Sequence, residues 1–277
     1  MNNQLDKNKR KHIDEFVDRY FNLPQRHNNH KAEDAYLIRK YGKKTHQKYI
    51  KLGIKDWKQG TEESNKRLTD FVFETGLCED DWSVSYRSRE TLRILLYNLS
   101  EQQKQQSTLL DVGSGDGRIA IGLALYLDNL SKIHTLDRSL AAHKRTNINI
   151  NKLDSEDQKK VKQKIIPLIG DFNEYDFYKQ FTSKEPEGVD IALASYPLHS
   201  WGEIVPALNK LIKNNGRIIT CYDAHQINDG SMEDSAREII EGYNIYANGQ
   251  GFTFDLLGHF KKLESLAIIA SGNRFFQ

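Results

Sequence analysis

Apolar residues recur along this chain in two rhythms, and the change between them divides it. Through the first part the period is helical. Ile13, Phe16, Val17 and Tyr20 share one helix face, which Leu23-Pro24 ends, and Ala32 to Tyr41 reads as a second helix stopped by Gly42. Thr61 is placed to cap a third, with Glu62 and Glu63 in its first turn and Leu68, Phe71 and Val72 on its inner side. Ser88 to Leu99 repeats Leu92, Leu95, Leu96 and Leu99 at helical spacing, ahead of a polar connection through Gln106. Beyond it the rhythm changes to short apolar runs: Thr108–Val112, Lys132–Asp137, Lys164–Asp171, Val189–Tyr196 and Arg217–Tyr222. Helical stretches separate them, one of which, Glu203–Lys213, sets Ile204, Leu208, Leu211 and Ile212 on one face. Strand and helix in alternation with short connections predict a doubly wound α/β domain over residues 83–277, preceded by a helical region over 1–82.

The chain of 277 residues is long enough for a substantial core. No stretch approaches the ~18 apolar residues of a membrane span, and the amino terminus lacks the apolar core of a signal peptide. Two cysteines, Cys78 and Cys221, suggest a reducing compartment, so the expected location is cytoplasmic. The net charge of +2 is unevenly spread. Residues 1–60 hold fifteen lysines and arginines against seven acids, a local +8 that leaves −6 for the rest. Such an arm suits nucleic acid or an acidic partner, and equally a solvated helical surface. No metal site is expected: His27-Asn-Asn-His30 has no third ligand nearby and reads as a loop.

Candidate chemistry concentrates in Thr108-Leu-Leu-Asp-Val-Gly-Ser-Gly-Asp-Gly-Arg-Ile-Ala-Ile121, a strand, a turn with alternating glycines and the start of a helix. Gly113, Gly115 and Gly117 let a ligand lie against bare backbone. A dinucleotide fingerprint would read G-x-G-x-x-G, but Arg118 occupies the third glycine's place. Asp111, two residues before the first glycine, sits poorly with a pyrophosphate and well with an ammonium group. Asp137 follows Gly117 by twenty residues, where an α/β unit returns an acid to ribose hydroxyls; capping the helix after Ser139 is its other reading.

These segments resemble the class I (Rossmann-like) S-adenosylmethionine-dependent methyltransferases over roughly the last two-thirds of the chain, the glycine turn corresponding to their first motif. The resemblance implies a seven-stranded sheet closed by an antiparallel pair from Phe252–Leu257 and Ser265–Ala270, after a helix near Met232–Tyr246. It implies S-adenosyl-L-methionine as cofactor and S-adenosyl-L-homocysteine as product. Asp111, Gly113, Ser114, Gly115 and Gly117 would form the cofactor turn, Asp137 would hold the ribose, and Arg138 would lie near the adenine. Asp171 would accept from the adenine amino group, with Phe172 against the ring. Lys213-Asn-Asn-Gly216 is similar to the family's turn before the fifth strand. Tyr49 to Ser64 resembles an entry loop whose aromatics pack over the methionine end, with Tyr49 and Trp57 as plain core aromatics the alternative.

Ligands of such sheets bind beyond the carboxyl ends of the strands, so Ser195 to His199 should border the transferred methyl. Ser195-Tyr196-Pro197-Leu198 keeps the serine and one proline of the family's amino-methylating motif but lacks its aromatic, which argues against base amino methylation. Where the acceptor must lose a proton, His199 is the first candidate base and Tyr196 or Asp223 the next. The leading expectation is a small-molecule acceptor, with the N-terminal helices as lid. A protein lysine or RNA acceptor engaged through basic residues 1–60 is the first alternative, and a catalytically inactive S-adenosylmethionine- or S-adenosylhomocysteine-binding protein the second.

Overall fold

Seven strands form one sheet in the computed structural model, which describes residues 7–27, 29–102, 106–171, 174–195, 201–225, 232–248, 252–262 and 265–274. Among them, five helices precede the sheet: α1 (Lys7–Tyr20), α2 (His30–Tyr41), α3 (Lys43–Gln59), α4 (Glu62–Thr75) and, after a 3-10 turn at Leu77–Glu79, α5 (Trp82–Gln102). The alternating part runs β1 (Ser107–Val112), α6 (Arg118–Tyr126), β2 (Leu130–Asp137), α7 (Leu140–Asn151), α8 (Ser155–Lys164), β3 (Ile165–Ile169) and α9 (Tyr175–Lys184). It continues through β4 (Val189–Ser195), α10 (Trp201–Asn209), β5 (Ile212–His225), α11 (Met232–Asn248), β6 (Phe252–Lys262) and β7 (Ser265–Arg274). No described helix is long and apolar enough to cross a membrane.

The strand order is β3-β2-β1-β4-β5-β7-β6. β1 to β5 are parallel, and β7 lies antiparallel between β5 and β6, so the expected doubly wound sheet with its closing pair is present. The chain steps outward in one direction from β1 to β3 and in the other from β4, which makes the β1/β4 junction the topological switch point where such sheets leave a crevice. Pro167 sits in the edge strand β3, where its missing N–H costs no interior ladder bond.

Period-two alternation divides the core between the two sheet faces. Leu109 packs into a cluster with α5, α6 and α8, and Leu110 into another with α9, α10 and α11. Ile13 and Val17 of α1 are fully buried in the first of these clusters, so α1 is part of the sheet's core. α2 to α4 instead gather around a small cluster of their own, Leu37, Phe71 and Leu77. It is tied to the 3-10 turn by the Asp80 carboxylate, which accepts from Tyr36 Oη at 2.9 Å, Lys40 Nζ at 2.7 Å and the Tyr41 hydroxyl.

Two expectations need correction. The segment read as an aromatic entry loop is mostly helix: α3 runs to Gln59 and ends on Gly60 in the left-handed conformation. Tyr49 packs beside the small cluster, but Trp57 is 84% exposed, so it is neither core nor cover for a cofactor. The helix expected over Glu203–Lys213 stops at Asn209, and Ile212 begins β5. Leu211 and Ile212 are buried here, as the helical spacing also required of them, so spacing alone does not separate helix from strand at this point. The Asn214-Asn-Gly216 stretch lies within β5, where the pairing jumps from Val189↔Ile212 to Ile191↔Arg217 and leaves a bulge.

Candidate functional site

The glycine turn between β1 and α6 uses its three glycines for different reasons. A Cβ on Gly117 would stand 2.5 Å from Thr146 Cγ2, so this glycine lets α7 pack against the turn. A Cβ on Gly115 would approach Phe73 Cζ of α4 at 3.3 Å. Gly113, at φ 69°, faces open space, with nothing within 4 Å of where its Cβ would be. Gly113→Ala is therefore expected to cost only the left-handed strain, ~1–2 kcal/mol. Gly117→Ala adds a clash to the same strain and should cost ~3 kcal/mol or more, so its urea midpoint should fall well below that of Gly113→Ala.

The turn's amides are already engaged. Gly113 N and Ser114 N donate to Leu136 O at 2.9 and 3.1 Å, Gly117 N to Ser114 O at 3.0 Å, and Gly115 N to Asp137 Oδ2 at 2.9 Å. An anion entering here would meet few unspent donors and two carboxylates, which explains in structural terms why the turn does not suit a pyrophosphate. Asp137 also accepts from Ser139 N through Oδ1 at 2.8 Å, while Ser139 itself caps α7 by accepting from Ala142 N at 3.1 Å. Both carboxylate oxygens of Asp137 thus brace the turn against the start of α7, and the serine does the capping.

Asp111 is different. It is 1% exposed, and its Oδ1 has no hydrogen-bond partner. Burial, and secondarily the charge of Asp137, push its carboxyl up to about 8. A fully buried acid without a cationic or hydrogen-bonding partner is costly to ionise. The Ser114 hydroxyl is likewise buried and unpartnered. Both line a cavity of about 180 Å³ that Gly113 and Ser195 also border. The segments before the sheet complete its lining with Phe73 of α4, Cys78 of the 3-10 turn, and Val84, Arg87 and Ser88 of α5. Burial, followed by the charge of Asp116, pushes the Cys78 thiol up to about 12, so it contributes wall and not a nucleophile.

Arg118 locks that wall to the turn. Its guanidinium pairs with Asp116 at 2.6 Å (Nε to Oδ2) and donates to Ser85 Oγ at 2.8 Å and Cys78 O at 3.4 Å. The Tyr20 hydroxyl of α1 donates to Arg118 O at 2.8 Å. Asp116 also receives Arg118 N at 3.3 Å, so the carboxylate caps α6 from within the turn.

The strand ends bring the other candidate residues to one edge. Arg138 follows Asp137 and donates to Asn65 Oδ1 of α4 at 3.4 Å. Asp171 stands just past β3, where Gly170 N donates to Asp137 O at 3.2 Å. Ser195 ends β4 beside the cavity, its hydroxyl 3.9 Å from Cys221 Sγ. Asp111, Gly113, Ser114, Gly115 and Ser195 therefore share one cavity, and Asp137, Arg138 and Asp171 lie along the same carboxyl edge. Phe172, Tyr196 and His199 lie outside the described residues. Phe73, Arg87 and the contacts of Arg118 with Ser85 and Cys78 carry no local signal in the sequence, because they join segments distant in the chain.

No protein-family model matches the chain, and no curated protein matches it. Solved structures are similar at low identity. The P. horikoshii TYW2 in complex with MeSAdo is 15% identical, over 69% of this chain and 62% of that one, at a TM-score of 0.46. The M. jannaschii TYW2 in complex with AdoMet is 17% identical over 68% and 77% of the respective chains, with a TM-score of 0.45. The precorrin-6y C5,15-methyltransferase from Geobacter metallireducens is 15% identical over 70% and 89%, with a TM-score of 0.44. This chain thus spans less than two-thirds of the first of these proteins.

Proposed function

We propose that this chain is an S-adenosylmethionine-dependent methyltransferase whose cofactor lies along the carboxyl edge of β1 to β3. The observation that carries the reading is the unpartnered Asp111 Oδ1 in the wall of a cavity whose floor is the bare backbone of Gly113. A cationic ammonium group answers an acid in that state, and the donor-poor turn beside it disfavours a phosphate. Asp111 would take the cofactor's amine, and Arg87, across the same cavity, its carboxylate. Asp137 would hold the ribose through lone pairs not spent on the turn, and Arg138, Asp171 and Phe172 would surround the adenine. When bound, the cofactor supplies an electrophilic methyl on a sulfonium. The protein's part is to align an acceptor near Ser195 and to keep water out, and alignment supplies much of the rate of such a displacement. His199, with Tyr196 as second candidate, would remove a proton where the acceptor carries one.

A small molecule enclosed by α2 to α4 is the acceptor favoured by the sequence. The exposed lysines of α3 favour an RNA instead. Isothermal calorimetry with S-adenosylmethionine and S-adenosylhomocysteine tests the cofactor, with a dissociation constant in the micromolar range expected for both. Absence of heat and of any thermal shift with either compound would overturn the proposal. Binding accompanied by no tritiated-methyl transfer to any extract fraction would favour a binding protein without transferase activity.

A further inference from the structure

We infer that the outer face of α3 is a docking surface for single-stranded RNA, with Trp57 as its stacking platform. Lys43, Lys44, Lys51, Lys55 and Lys58 are all exposed, and none makes a hydrogen bond or ion pair with a described residue. Three of the five lysines and arginines of α1 are used differently: Lys9 donates to Ser100 O at 2.8 Å, Arg10 lies 5.4 Å over the Tyr97 ring, and Lys11 pairs with Glu15 at 3.9 Å. The one acid of α3, Asp56, is turned inward, accepting from Ser64 Oγ at 2.8 Å. The local positive charge is therefore concentrated on one helix face and is not cancelled there.

Beside the lysines runs an apolar line, Ile50 at 41% exposure, Ile54 at 50% and Trp57 at 84%. The arrangement of the two sets decides what they fit. At ~100° per residue, Lys44, Lys51, Lys55 and Lys58 occupy the middle of the exposed arc, and the three apolar residues fall along one margin. A helix that lies on a bilayer needs its apolar residues central and its lysines flanking, so a lipid surface meets this face in the wrong order. A polyanion fits it: phosphates along the lysine rows, with an unpaired base laid on the indole at the edge. Unpaired bases are what RNA loops and bulges present, which commits the surface to RNA over duplex DNA. That the bound strand is also the methyl acceptor rests on the proposed transferase activity; the binding itself does not.

Fluorescence anisotropy with a labelled, unstructured RNA of about fifteen nucleotides tests the surface. Wild-type protein should bind at low salt. Trp57→Ala should weaken binding about tenfold, through loss of stacking. K51E/K55E/K58E should weaken it about a hundredfold and lower the slope of log affinity against log salt by about two. Both variants should retain wild-type circular dichroism and the calorimetric affinity for S-adenosylmethionine, which separates failure of this surface from failure of the cofactor reading. The inference is overturned if wild-type protein ignores the RNA, if Trp57→Ala binds it unchanged, or if duplex RNA binds equally well. Trp57-dependent binding to phosphatidylserine-containing vesicles in preference to RNA would overturn it too.

Discussion

Asp111→Asn should abolish cofactor binding and at the same time make the protein more stable above neutral pH. The native carboxyl is held near 8, whereas in the unfolded chain it titrates near ~3.9. Between those values the native state keeps a proton that the unfolded state has lost, so stability falls as pH rises from about 4 to about 8 and is then level. Asparagine removes that slope. The variant's gain should be small near pH 4 and largest above pH 8, with a ceiling on the order of 5 kcal/mol from the roughly four-unit shift. Thermal unfolding of both proteins from pH 5 to pH 9 measures it, and the two melting temperatures should diverge by several degrees at the alkaline end. A constant difference across that range would show that the acid is not strained. Binding of a cationic amine should ionise Asp111, so calorimetry at pH 7 in buffers of different ionisation enthalpy should report release of close to one proton in wild type. Stability surrendered at a binding acid and recovered when it is neutralised is the trade-off expected of a functional residue.

The second large effect is expected at Arg118. Arg118→Ala would strand the Asp116 carboxylate in a buried setting and free Ser85 Oγ and Cys78 O together. Removing one partner of a buried pair costs roughly 3–5 kcal/mol, so the melting temperature should drop by roughly 10 °C. Arg118→Lys keeps the charge but cannot span three acceptors from one planar group, and should recover only part of the loss. The two variants also separate roles. If Arg118 only stabilised the core, cofactor affinity would survive in the folded fraction. Because it fixes the helical wall against the glycine turn, affinity should weaken in Arg118→Lys even where that protein is fully folded.

The parts of this architecture that could be read in advance are those encoded locally. Short apolar runs mark the five parallel strands, the closing pair follows from the family resemblance, and the leucines at 92, 95, 96 and 99 mark the helix beneath the sheet because each is fully buried. Asp111 stood out because its charge is incongruous at the end of an apolar strand. The helix α8 was not foreseen: Val161 is its one fully buried residue, so it carries almost no hydrophobic period. The helical character of Tyr49–Gln59 in α3 is hidden because Gly53 and the exposed Ile50, Ile54 and Trp57 interrupt its polar pattern. Arg118 appeared only as an oddity in a glycine motif, since its three partners lie on segments more than thirty residues away in the chain, apart from its neighbour Asp116. The role of Asp137 as a brace was equally hidden, because spacing predicts where an acid arrives and not which amides it meets.

The position of β7 has a bearing on how the polypeptide acquires its shape. β7 is synthesised after β6 yet lies inside the sheet, hydrogen-bonded on both sides, while β6 lies at the margin. A nascent chain translated only through β6 therefore holds two strand edges, on β5 and β6, that have no partner. Closure must wait for residues 265–274 to leave the ribosome and slip between them. Such late, non-local pairing is slow and exposes sticky edges meanwhile. Removal of residues 265–274 would open a gap in the middle of the sheet, where loss of an outer strand would only narrow it.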